Sequence, residues 1–139
     1  MRSRASAPMS GASMRAVDTN LLVRLFVRDD AAQVEAAERF IEGGAWVSHL
    51  ALVEAIWVLD AVYGRGARQI MAALELLLEH AQFTVQDADV VGAALAHYRR
   101  QPALGFSDCL MLEVARKAGH LPLGTHDRRL AKLEGAQRV

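Results

Sequence analysis

A chain of 139 residues, 53% of them hydrophobic, is of single-domain size and long enough to bury a real core. Its 16 basic and 16 acidic residues cancel, so it lacks the strong positive charge that advertises nucleic-acid binding. Any such binding has to come from local arginines or a bound cation. One cysteine, Cys109, excludes an internal disulfide and fits a reducing, cytoplasmic setting, and no apolar run approaches the roughly 18 residues of a membrane span.

Residues 1–13, MRSRASAPMSGAS, are small, polar and aperiodic. They lack the apolar centre of a secretory signal and read as a disordered N-terminal extension, with Met14 as a candidate start. Arg2 and Arg4 place +2 on this segment, which leaves −2 on residues 14–139.

From Met14 onward the pattern is regular. Ala16 and Val17 form a short apolar strand that stops on Asp18, and Asp18, Thr19 and Asn20 then open an apolar helical run, Leu21–Val27. Asp30 and Gln33 have the spacing of a capping box. The helix they introduce carries the stripe Val34, Ala37, Phe40 and Ile41 and ends at Gly43-Gly44. AWVS at 45–48 is a second strand, followed by a helix over Ser48–Tyr63. Gly64 and Gly66 break it, and another helix runs over Ala67–His80. Gln82–Gln86 is a third strand. Asp87 or Asp89 caps a helix that ends near Arg100, and Pro102 and Gly105 mark a loop. A helix over Ser107–Ala118, a strand over Leu121–Thr125, a short helix over Asp127–Leu133 and an edge strand over Ala136–Val139 complete the chain. Strands alternating with helices predict an α/β domain over residues 14–139, with a central parallel sheet of about four to five strands covered on both faces.

Four acids stand out within this pattern. Asp18 ends a strand, and open α/β sheets bind ligands just beyond the carboxyl ends of their strands. Capping of the next helix accounts for it equally well. Glu54 is the only charge between Leu50 and Leu59; a buried, unpaired carboxylate is costly, so it needs either solvent or a partner. Asp60, about 240° further round that helix, does not share its face. Asp108 follows the expected cap Ser107, where the helix dipole favours an acid, and Glu113 is expected to point to solvent. Asp127 follows the fourth strand, and capping again explains it alone.

Together, three acids fall at strand-to-helix junctions or helix starts, and a fourth interrupts an apolar helix that begins at the same edge. Clustered carboxylates repel one another unless a cation holds them, and hard divalent ions prefer oxygen ligands. This combination suits metal-assisted phosphodiester hydrolysis, in which the ion acidifies and positions a water and neutralises charge on the phosphate.

The motifs VDTN at 17–20, LALVEAIWVL at 50–59, GFSDCLMLEVARKAGH at 105–120 and LGTHDRRLAKL at 123–133 occur in an order and spacing that resembles the PIN-domain ribonucleases, and in size and layout the VapC-type toxins of toxin–antitoxin pairs. The resemblance implies a PIN-like three-layer α/β sandwich and a divalent-metal-dependent endoribonuclease using Mg²⁺ or Mn²⁺. It places the acidic quartet on Asp18, Glu54, Asp108 and Asp127, with Asp18, Asp108 and Asp127 as metal ligands. Asn20 and Thr125 match its polar positions and, with Arg128, are the expected substrate contacts. His126 departs from the aromatic or asparagine more usual there and reads as an exposed loop histidine. The implied partners are RNA, a cognate antitoxin and a second copy of the chain.

Other chemistries find less support. The five histidines show no paired zinc spacing, there is no GxSxG elbow, and the YGRGAR segment is no phosphate loop. A haloacid-dehalogenase-type phosphatase needs an acid two residues after Asp18, where this chain has Asn20. The remaining alternative is a catalytically silent PIN-like module that binds RNA or a protein. An intact quartet argues against it. Cys109 and Trp46 read as core, Trp57 as interface, and Arg128 and Arg129, beside Asp127, as the best-placed phosphate contacts.

Overall fold

Ala45–Val47 is the middle strand (β2) of a three-stranded parallel sheet in the computed structural model, which describes residues 14–139. The expected extension at 1–13 lies outside the described residues. On one side β2 pairs with Arg15–Ala16 (β1), in the register Arg15 to Ala45 and Ala16 to Trp46. On the other it pairs with Phe83–Val85 (β3), from Ala45–Phe83 to Val47–Val85. Parallel neighbours need long crossovers, and each crossover here is a pair of helices. Thr19–Val27 (α1) and Ala31–Ile41 (α2) lead from β1 to β2, and His49–Ala61 (α3) and Ala67–Glu79 (α4) lead from β2 to β3.

These elements form the first of two compact units, which ends at Gln86. Its helices begin where short polar side chains satisfy open amides: Asp18 Oδ1 accepts from Leu21 N at 2.9 Å, Asp30 Oδ1 from Gln33 N at 3.1 Å, and Ser48 Oγ from Ala51 N at 3.1 Å. Ala45 and Val47 are completely buried, together with Leu22 of α1, Leu52 and Ala55 of α3 and Leu74 of α4. Helix α3 carries apolar residues on its outer side as well as its inner one: Ala51, Leu52, Ala55, Ile56 and Leu59 are buried, while Leu50 and Trp57 stand 70% and 65% exposed. Trp46 is half-buried.

The second unit begins at Asp87. Ala88–Arg100 (α5) and Phe106–Ala118 (α6) pack as a helical hairpin. Val91, Ala94 and Tyr98 of α5 and Phe106, Cys109, Leu110 and Leu112 of α6 are buried, and the rings of Tyr98 and Phe106 meet edge to face at 6.3 Å. Leu123–Thr125 (β4) then pairs in parallel with Ala136–Arg138 (β5), in the register Leu123–Ala136 to Thr125–Arg138. The α/β class with parallel strands is as expected; among the described residues the five strands divide into sheets of three and two. No helix among the described residues is long and apolar enough to cross a membrane.

Three local expectations need correction. Helix α6 starts at Phe106 and not after Ser107. The turn before it, Pro102–Leu104, ends on Gly105 at φ +80°, a conformation that side chains resist, so Gly105 occupies the cap position. The helix expected over Asp127–Leu133 is a single 3₁₀ turn, Leu130–Lys132. Asp127 binds its opening amides, and too few residues remain before Gly135 for an α-helix to propagate. Asp87 sits at the start of α5 with φ +42° and makes no side-chain cap; both it and Asp89 accept from Lys117 instead.

Candidate active site

In the first unit, Asp18 lies two residues beyond β1 and caps α1. Its Oδ1 is held by the Leu21 amide, which fixes the side chain and leaves its second oxygen without a protein donor among the described residues. One residue on, the Thr19 hydroxyl donates to Glu54 Oε1 at 2.9 Å. Glu54 lies in the middle of α3, which packs against α1, so the hydrogen bond fixes a carboxylate at the head of α1. Asp18, Asn20 and Glu54 are all exposed. The only charge in an apolar helical run thus meets solvent and one hydroxyl, not an opposite charge.

A similar local arrangement recurs in the second unit. Asp127 directly follows the turn at the end of β4. Its Oδ1 accepts from the amides of Arg129 at 2.8 Å and Leu130 at 2.9 Å, and its own amide donates to Thr125 Oγ1 at 3.0 Å. That bond occupies the hydroxyl as an acceptor and leaves its proton able to donate. Asp108, in the first turn of α6, is half-buried and receives no hydrogen bond or ion pair among the described residues. Its pKa is raised above the ordinary 3.8, first by burial and then by the negative charge of Asp127. The second pair is therefore two like charges close enough to feel each other, one of them partly desolvated and unpartnered.

Arg128 and Arg129 are exposed beside Asp127, and His126 Nδ1 lies 3.0 Å from the Val139 carbonyl oxygen. Glu113, expected at the surface, is buried. His97 and Arg116 both reach its carboxylate, which a sequence spacing of 16 from His97 does not disclose. Thr19 is the site residue that sequence reasoning left without a role; a hydroxyl immediately after a strand-terminal aspartate was the available signal.

The chemistry of the donor set fits a hard divalent cation. Among the described residues, Asp18 and Asp127 each present a carboxylate oxygen with no protein donor, and Asp108 carries a partly buried charge with no partner. No group of three or more His, Cys, Asp or Glu side chains that could hold a metal is assembled among the described residues.

The family model for the PIN domain matches residues 15–136. No curated protein and no solved structure matches the chain.

Proposed function

The chain belongs to the PIN-domain family, whose members are generally nucleases, and from that premise we propose that it is a divalent-metal-dependent endoribonuclease. Asp18, Glu54, Asp108 and Asp127 are its catalytic carboxylates, and Asp18, Asp108 and Asp127 would hold Mg²⁺ or Mn²⁺. The observation that carries this reading is the state of Asp108: half-buried, raised in pKa by burial and by the charge of Asp127, and given no donor among the described residues. The start of α6 favours an acid there but leaves its burial and its repulsion from Asp127 uncompensated, and a cation would relieve both.

When bound, the ion supplies an acidified water and neutralises charge on the scissile phosphate. The chain's own residues do the rest. The amides of Leu21, Arg129 and Leu130 orient Asp18 and Asp127. Thr19 holds Glu54 where it can accept a proton. Asn20, the Thr125 proton and Arg128 contact the RNA, with Arg128 able to bind a phosphate through two donors.

The finer reading is a VapC-type toxin that acts as a homodimer and is silenced by an antitoxin presenting a basic side chain to these carboxylates. An arginine's planar fork suits paired oxygens and would compete with the metal. Exposed Trp57 and Leu50 on α3 supply an apolar face for a second copy.

The test is cleavage of single-stranded RNA by the purified full chain. Activity should vanish in EDTA and return with Mg²⁺ or Mn²⁺, and the metal should raise the melting temperature by mass action on the native state. If melting and activity both ignore the chelator, the metal reading fails. A small protein encoded next to this one should bind the chain and suppress cleavage. Absence of any such partner would remove the toxin role and leave the nuclease.

A further inference from the structure

Glu113 is the one buried charged residue among the described residues. A buried carboxylate is tolerated only when paired and hydrogen-bonded, and its partners all belong to the second unit. His97 Nε2 lies 2.9 Å from Oε2, and Arg116 Nε donates to both oxygens at 3.3 Å. Arg100 Nη2, a donor, lies 3.2 Å from His97 Nδ1, so Nδ1 accepts and Nε2 carries the proton given to Glu113.

With Nε committed to Glu113, the far end of the Arg116 guanidinium donates through Nη2 to the Glu134 carbonyl at 2.6 Å. The next residue, Gly135, has φ +96°. A Cβ there would lie 3.0 Å from Arg116 Nη2 and 3.3 Å from both Nη1 and Leu121 Cδ1. The backbone at 134–135 thus sits as close to the guanidinium as a residue without a side chain permits. Gly135 O accepts from Leu123 N at 2.8 Å, where β4 and β5 begin to pair, and β4 ends at Thr125, whose hydroxyl holds the Asp127 amide. Helix α6 therefore carries Asp108 in its first turn and, through Arg116 near its end, grips the sheet that carries Asp127.

We propose that Arg116, oriented by Glu113, is a positioning residue that fixes the Asp127 loop against α6 and so sets the relation of Asp127 to Asp108. Its consequence for metal binding rests on the nuclease reading above; its consequence for the loop does not. An ordinary i,i+3 ion pair on a surface contributes little. This guanidinium joins a buried carboxylate to the backbone carbonyl of Glu134, 18 residues beyond Arg116, so removing it leaves one group charged and buried and the other without its donor. Residues that orient metal ligands from behind typically change metal affinity by about 10–100-fold when replaced.

The experiment uses the full chain and two variants. Arg116→Lys keeps the charge but cannot span both acceptors. The double variant Glu113→Gln with Arg116→Gln leaves no orphan charge and is expected to fold. In metal-free protein, hydrogen exchange is measured at the amides of Leu123, Asp127, Arg129 and Leu130. It should accelerate about tenfold in both variants, while the amides of α5 and the middle of α6 keep their protection. Mn²⁺ is then titrated against melting temperature and against RNA cleavage. Its half-saturating concentration should rise about tenfold in both assays, with KM for RNA unchanged and Arg116→Lys the milder variant. Folded variants with wild-type exchange at the four amides, or with a wild-type Mn²⁺ midpoint, would overturn the proposal. So would unfolding of both variants, since the network would then serve the fold as a whole. If the wild-type chain neither binds Mn²⁺ nor cuts RNA, the nuclease reading falls, and the exchange measurement still decides whether Arg116 places the loop.

Discussion

The Thr19 hydroxyl and Glu54, 35 residues apart, are joined by a hydrogen bond of 2.9 Å that places a carboxylate at the head of α1, beside the capping aspartate. A hydrogen bond to a charged group contributes about 1.5–3 kcal/mol where it is sheltered, and less where solvent reaches it, as here. Thr19→Val keeps the shape and removes the donor. We expect about tenfold slower RNA cleavage with a near-native melting temperature, and recovery in Thr19→Ser. Single-turnover cleavage alongside thermal melts checks this; an unimpaired Thr19→Val enzyme would show that Glu54 needs no such support.

Asp18 has two jobs that substitution can separate. Asparagine caps helices about as well as aspartate, whereas alanine forfeits about 1 kcal/mol. Asp18→Asn is therefore expected to abolish cleavage with little change in stability, and Asp18→Ala to lose both. Melting curves and a gel-based cleavage assay on the two purified variants separate the effects. Full activity in Asp18→Asn would remove Asp18 from the site.

Asp108 should be a liability to the metal-free fold. Its carboxyl is held above its ordinary pKa by burial and by the charge of Asp127, so its ionised form is disfavoured in the native state. At neutral pH in EDTA, Asp108→Asn is expected to melt at or above the wild-type temperature while being inactive. Saturating Mn²⁺ should reverse the order of the two melting temperatures, because only the wild type retains the ligand. A metal-free Asp108→Asn protein markedly less stable than wild type would mean that the carboxylate serves the fold.

The Lys117 clasp on α5 gives a pH signature of known sign. Hydrogen bonding from Lys117 holds the Asp89 carboxyl below its ordinary 3.8. A carboxylate depressed in the folded state contributes stability that is present above its unfolded pKa and lost as pH falls through the folded value. The lysine mirrors this: its pKa is raised above 10.5, first by Asp89 and then by Asp87, so its share is present below 10.5 and lost as pH rises past the folded value. Lys117→Met should therefore melt slightly lower than wild type at pH 7, and the gap should close below pH 3.8. All three side chains are exposed, so the difference should also shrink in high salt. Melts across pH and ionic strength test both trends.

Local interactions made the element order readable from the residues alone. A cap binds an amide two or three positions away, so Asp18, Asp30 and Ser48 announce helix starts in their own neighbourhood, and the glycines announce ends. The same locality put Asp18 and Asp127 at the ends of strands, where a carboxylate faces outward. What each acid touches was a different matter. Thr19 meets Glu54 only because α1 packs on α3, and no spacing in the chain specifies that contact. Glu113 was expected in solvent because five residues separate it from Asp108, which turns it away from that acid on the helix. It is buried because folding brings His97 to one oxygen and Arg116 to both. The start of α6 at Gly105, the shrinking of the last helix to one turn and the division of the strands into two sheets likewise follow from backbone conformation and pairing. Residue type states the cost of placing a group somewhere; only the packed structure supplies the partner that offsets it.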